Sequence, residues 1–130
     1  MIFECEGKAE IQGVTATQIR KTIKALRSFG PSSYASLTDE KSGDYIQVAG
    51  GGVTCMLELY RANSKERLRA FHEVPNNVFP DGTLLVFGAG SIPMKSDEWF
   101  TAEKVTEVFC LFLGRAEIPS GVYWRPVYGI

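Results

Sequence analysis

The sequence has little of what most small active sites are built from. It has one histidine, His72, and three cysteines, Cys5, Cys55 and Cys110, an odd number, widely spaced and with no C-x-x-C pair. Neither a disulfide framework nor a zinc ribbon can be assembled from that set, and reduced thiols fit a cytoplasmic chain best. Long hydrophobic runs are missing as well. The longest, residues 108–113, is far too short to span a bilayer, and the N-terminus carries neither a basic region nor an apolar one, so no export signal is read. Charge of one sign is not in excess. Fourteen Lys and Arg against fifteen Asp and Glu leave a formal charge of -1, which gives no net basic field for nucleic acid or an anionic membrane. There is no G-x-G-x-x-G and no G-K-[ST].

What is there is an ordinary globular composition, 45% hydrophobic and 22% charged over 130 residues. Residues 1–130 are read as a single domain that needs no metal or cofactor to fold. Residues 2–6 and 9–12 flank Gly7-Lys8 as a short hairpin or a bent first strand. Ile19, Ile23 and Leu26 recur at helical spacing, so residues 16–29 read as an amphipathic helix. Thr15 with Gln18 would cap its start, and Gly30-Pro31 would end it. The middle is strand separated by turns: 33–37, 45–48, 53–60, 68–74 and 83–87. In 53–60, Val53, Cys55, Leu57 and Leu59 share one face, which makes Cys55 a core residue and implies a sheet covered on one side. A second helix runs from Thr101 as N-cap to Leu113, with Gly114 ending it. A last extended piece, 121–128, is restricted by Pro126 to an edge. The expected fold is α+β: a single antiparallel meander with two amphipathic helices on one face.

Candidates for chemistry are few. His72 sits in the 68–74 strand beside Leu68 and Ala70, and no Ser or Cys stands in a nucleophile motif, so it reads as a structural or solvent-edge histidine and no catalytic residue is assigned. Gly50-Gly51-Gly52 and Phe87-Gly88-Ala89-Gly90-Ser91 would need a helix directly behind them to cradle phosphate. A strand follows the first and Ile92-Pro93 interrupts the second, so they read as a hairpin or bulge and a flexible loop. Residues 88–97 form the longest gap between elements and a place for a binding loop.

The helices carry unequal charge. Arg20, Lys21, Lys24 and Arg27 make one basic side of the first, either a solvated face or a surface for an acidic partner or phosphate. On the second, Glu103 and Glu107 repel at i,i+4, with Asp97 and Glu98 just before them and only Lys104 opposing, which hints at a basic partner. Cys110 projects to the same side as those glutamates and is expected under a loop. Trp99, Phe100, Tyr123, Trp124 and Tyr128 crowd the last third; Trp124 is expected in the core, and Trp99 is open between core and interface.

The stretch from Trp99-Phe100-Thr101 to Phe112-Leu113-Gly114, then Ile118-Pro119 and Tyr123-Trp124, resembles the closing segment of small immunity proteins from bacterial polymorphic-toxin and contact-dependent growth inhibition systems. In that family an amphipathic helix ends in Phe-Leu-x-x-Gly-like residues, followed by a proline and a strand bearing tryptophan; here Gly114 follows Leu113 directly. The strand-glycine-strand segment 45–60 looks like the family's central hairpin, so the resemblance covers about half the chain, in pattern. It implies a non-enzymatic cytoplasmic protein without cofactor or metal that binds one cognate toxin domain and blocks its active site or an adjacent surface. Many such toxins are basic nucleases, and on that footing Asp97, Glu98, Trp99, Glu103 and Glu107 are the expected partner-binding residues. The alternative is an enzyme or small-ligand binder with a pocket between sheet and helices around His72, using Arg69, Tyr60 or Glu58. A homodimer through the edge strand ending at Ile130 is a third arrangement.

Overall fold

The computed structural model describes residues 1–127. Among them the chain forms β1 (Ile2–Cys5), β2 (Ile11–Gln12), α1 (Ala16–Ala25), β3 (Tyr34–Thr38), β4 (Tyr45–Gly51), β5 (Thr54–Arg61), β6 (Glu66–Phe71), β7 (Thr83–Phe87), β8 (Gly90–Met94), α2 (Ala102–Leu113) and β9 (Tyr123–Pro126). Seven strands make one antiparallel sheet in the order β2-β1-β3-β4-β5-β6-β9, and β7 pairs with β8 in a separate hairpin. The fold is α+β, with both helices on one face of the large sheet. Phe3, Leu37, Ile46, Val48, Leu57 and Leu59 present that face, and Ile19, Ile23, Val105, Val108 and Phe109 cover it, all of them buried. Phe109 meets Phe3 edge-on at 6.4 Å.

Local chemistry sets the helix ends. Thr15 and Gln18 form the expected reciprocal capping box, and Thr101 accepts from the backbone of Lys104. The first helix stops earlier than its apolar spacing implies, at Ala25. Leu26 turns to an extended conformation at φ -62 and ψ 142 while its side chain stays in the core. Arg27 then bonds the carbonyl of Ser32, and Gly30 bonds that of Arg27, so Gly30-Pro31 belongs to a turn beyond the helix. The chain leaves the helix where the β4–β5 turn is pressed against it, since a Cβ on Gly51 would overlap the carbonyl oxygen of Leu26. Gly52 takes φ +63 at the first position of that two-residue turn, as a type II′ hairpin requires. Val53 leaves the strand for the turn and is 67% exposed.

The sheet is not covered on one side alone. Residues 88–97 are not a loop: Gly88-Ala89 is a two-residue connection, and β8 pairs with β7 from Phe87↔Gly90 to Thr83↔Met94. Pro93 is compatible with this because the hairpin has only edge strands. The hairpin lies over the second face of the large sheet, where Leu85, Met94 and Trp99 bury Ala49 and Met56 in a smaller core. That is why Met56 and Glu58 are buried along with their neighbours Cys55 and Leu57. The hairpin tip is tied down where Gly88 N–H donates to Ser33 Oγ at 2.8 Å, and Ser33 Oγ donates to Glu6 at 2.6 Å. Cys55 is in the core, and burial pushes its thiol up to about 12. Trp124 is only half-buried, packed against the main core from β9. Ile130 and Tyr128 lie outside the described residues.

Gly51→Ala should cost about 1–3 kcal/mol in urea unfolding, because the added methyl must displace backbone; a loss near zero would show that the turn can move off α1. Arg115, just past α2, donates to Asp39 at 2.9 and 3.1 Å and holds the Asp39 carboxyl below its ordinary value. A lowered carboxyl contributes its stability in full above about pH 4 and loses it as pH falls further. Asp39→Asn should therefore lower stability at pH 7 by about 0.5–1 kcal/mol, Arg115 being half exposed, and the difference from wild type should close as pH falls through the lowered Asp39 pKa. Thermal melts across that range check it.

Candidate functional site

Strand register lines up polar residues across the second face of the sheet. Glu4, Ser36, Gln47, Glu58, Arg69 and Arg125 are successive cross-strand partners through β1, β3, β4, β5, β6 and β9. In the middle of this row Glu58 is 4% exposed, and Arg69 reaches its Oε2 through both Nε and Nη2 at 2.8 Å. Gln47 donates to the other oxygen at 2.9 Å. Arg69 Nη1 lies 3.5 Å from Glu98, whose Oε1 also accepts from Lys95 N–H at 2.8 Å. Arg125 closes the cluster, donating to both oxygens of Asp97 at 3.1 and 2.8 Å and lying 4.0 Å over the Phe71 ring. The Asp97 carboxylate raises the Arg125 pKa.

Above this floor, the β7–β8 hairpin and the sheet enclose a cleft of about 760 Å³. Arg67, Lys95, Phe87 and Ile92 line it along with members of the polar row. A second concavity of about 1110 Å³ lies on the opposite side of the molecule, between the helices. Arg20, Lys24 and Arg27 of α1 and its C-terminal extension form one wall, and Glu103 and Glu107 of α2 form the other, with Val53, Ala102 and Leu111 between them. Among the described residues no ion pair spans this groove; Glu107 pairs within its own helix, with Lys104 at 3.1 Å. Cys110 is half-buried and lines the groove instead of lying under a loop.

The structure divides the five acidic and aromatic residues singled out by the sequence. Glu103 and Glu107 are exposed on the helix side. Glu98, 3% exposed, and Trp99 are buried on the hairpin side, and Asp97 is occupied by Arg125. The residues of the pocket reading are divided too. Glu58 and Arg69 line the cleft between sheet and hairpin, not a pocket between sheet and helices. His72 stands just past the end of β6 and does not line the cleft: its Nε2 is 2.8 Å from the Trp99 carbonyl, and its ring meets Phe100 edge-on. Tyr60 stacks on Tyr45 at 5.0 Å. Sequence reasoning passed over Gln47, Arg67, Lys95 and Arg125. Strand alternation does put Arg67 and Arg69 on one face, but only the pairing of β6 with β5 and β9 shows what they meet.

Among the described residues, no group of three or more His, Cys, Asp or Glu gathers to hold a metal, and no helix is long and apolar enough to cross a membrane. No protein-family model matches the sequence, and no curated protein matches it.

Removing one partner from a nearly buried ionic cluster leaves charge without compensation, at about 3–5 kcal/mol. Arg69→Met should show a loss of that size in urea unfolding, with Glu58 and Glu98 left facing each other. A loss under about 1 kcal/mol would mean that water reaches and screens the cluster.

Proposed function

We propose that this chain is a non-enzymatic immunity protein that binds and neutralises a toxin domain in the cytoplasm, and that the groove between the helices is the surface it uses. One observation carries the reading: two helix faces of opposite charge border an open groove without bridging it. Arg20, Lys24 and Glu103 are exposed and therefore open to a partner, while Glu107 pairs with Lys104 and Arg27 donates to the carbonyls of Lys24 and Leu26. The β4–β5 turn brings exposed Val53 into the groove, and Phe29, two residues beyond Arg27, is 90% exposed. Large apolar side chains surrounded by charge are the usual composition of a binding patch, with the apolar groups as anchors and the charges setting orientation and encounter rate. A partner segment fits if its basic residues face Glu103 and Glu107 and its acidic residues face Arg20 and Lys24. The Lys104–Glu107 pair is half exposed and worth well under about 1 kcal/mol, so a partner cation displaces it easily.

The decisive experiment co-expresses the C-terminal domain of the protein encoded immediately upstream, with and without this chain. Rescue from its toxicity and a co-purifying complex are expected. Glu103→Lys with Glu107→Lys should slow association by about tenfold or more at low salt, with the difference shrinking at high salt. Cys110 should react with a thiol reagent in the free protein and be protected in the complex. Toxicity without rescue, or a complex indifferent to both reversals and leaving Cys110 reactive, overturns the reading.

A further inference from the structure

We infer that the cleft between the large sheet and the β7–β8 hairpin binds a small molecule that carries an oxyanion on an apolar or aromatic body, with Arg67 holding the oxyanion. The site lies across the sheet from the helix groove, and the inference does not depend on the immunity reading.

The first support is an unmet donor. Arg67 Nε is buried and has no hydrogen-bond acceptor among the described residues. The nearest carboxylate oxygen, Glu58 Oε1, is 3.8 Å away, too far for a hydrogen bond. Glu58 cannot easily come closer: its Oε2 is held by Arg69 and its Oε1 by Gln47, both at hydrogen-bonding distance. Glu58 therefore leaves the Arg67 guanidinium short of an acceptor, and an oxyanion in the cleft meets it from its exposed side.

The second support is the balance of charge. Four cationic side chains, Arg67, Arg69, Lys95 and Arg125, line the cleft against two carboxylates, Glu58 and Glu98. Arg69 is committed to Glu58 and Glu98, and Arg125 to Asp97 and Glu98. Among the side chains that line the cleft the balance is positive, and Arg67 and Lys95 stand outside those close pairs, although Asp81, off the lining, acts on Lys95 from one side. The Arg67 side chain is 36% exposed, open to a ligand from the cleft while its Nε is shut off from bulk water.

The third support is shape. The volume lies in the range of small-molecule sites, about 300–1,000 Å³, and Phe87, Ile92 and Pro93 supply an apolar wall opposite the polar floor. A bare inorganic ion would leave that wall wet, whereas an aromatic or aliphatic body would cover it. The hairpin carrying the wall is pinned at its tip by Ser33 and at its base by Glu98, so the site is largely formed before anything enters.

The test uses the full chain labelled with ¹⁵N and ¹³C and titrated with phenyl phosphate, sodium benzoate and benzyl alcohol. The Arg67 Nε–H resonance and the Ile92 methyl groups report binding. Saturable shifts at both are expected with phenyl phosphate or benzoate, and the stronger of the two identifies a tetrahedral or a planar oxyanion. Benzyl alcohol, with the same ring and no charge, should bind at least about tenfold more weakly, as the loss of one charge-assisted hydrogen bond implies. Arg67→Gln should weaken the anion by a similar factor and leave benzyl alcohol unchanged, and Lys95→Gln, at an exposed side chain, should weaken it severalfold. If Arg67→Gln does not fold, Lys95→Gln and the salt dependence of wild-type binding decide the matter. No saturable shift with either anion overturns the inference. So does equal binding of benzyl alcohol, or affinity that neither substitution nor salt alters.

Discussion

Arg69 occupies the centre of the second sheet face, and its guanidinium joins two parts of the chain inside a nearly buried ionic cluster. On one side it binds Glu58 within the sheet, and on the other it reaches Glu98 in the segment leading out of the β7–β8 hairpin. Without an arginine at that point, two buried carboxylates would face each other, so the hairpin could not close on the sheet as it does. Arg125 repeats the arrangement one strand further out, which brings β9 next to β6 with its charge already matched to Asp97 and Glu98. An apolar cluster could fill the same space as cheaply. A charged one specifies a single register, because a slip of one residue in β6 would carry Arg67 and Arg69 to the apolar face.

The two faces of the sheet thus do different work. Period-two alternation sends Phe3, Leu37, Ile46 and Leu59 to the helices, and this face supplies most of the driving force for folding. The other face has a smaller core, around Met56, Leu85 and Trp99, beside its polar row. Apolar packing there is enough to seat the hairpin but leaves a cleft alongside. Because the helices are paired on the far side, their outward charged faces are not consumed by folding, and the groove between them stays open.

How much of this could be read from sequence depends on how local the signal was. Both helix N-termini were legible, because a capping threonine needs only the residues that follow it. The burial of Cys55 and the edge position of Pro126 were legible from alternation and from the missing proline N–H. The end of α1 was not, since it is set by Gly51, which lies far along the chain and packs against Leu26. The β8 strand was hidden by Pro93, which argues against a central strand but is harmless in a two-stranded hairpin. The acidic set was misleading for a related reason. Closeness in sequence does not place Asp97, Glu98, Glu103 and Glu107 on one surface when the chain between them crosses from one layer to another.

That crossing is made by Trp99 and Phe100. Phe100 bonds Cys55 through both backbone groups at 2.9 Å, so the segment is extended there and successive side chains point to opposite faces. Trp99 accordingly enters the small core under the hairpin, and Phe100 enters the main core under the helices. His72 holds this junction twice, with its backbone N–H on the Asp97 carbonyl at 3.0 Å and its ring nitrogen on the Trp99 carbonyl at 2.8 Å. The only histidine in the chain is thus placed where the two layers are joined, and its position is explained by the backbone it secures. The same junction carries the carboxylates before it into the ionic cluster and delivers those after it, in the first two turns of α2, to the groove. A single extended segment therefore makes one half of an acidic stretch part of the buried structure and leaves the other half exposed on the helix side.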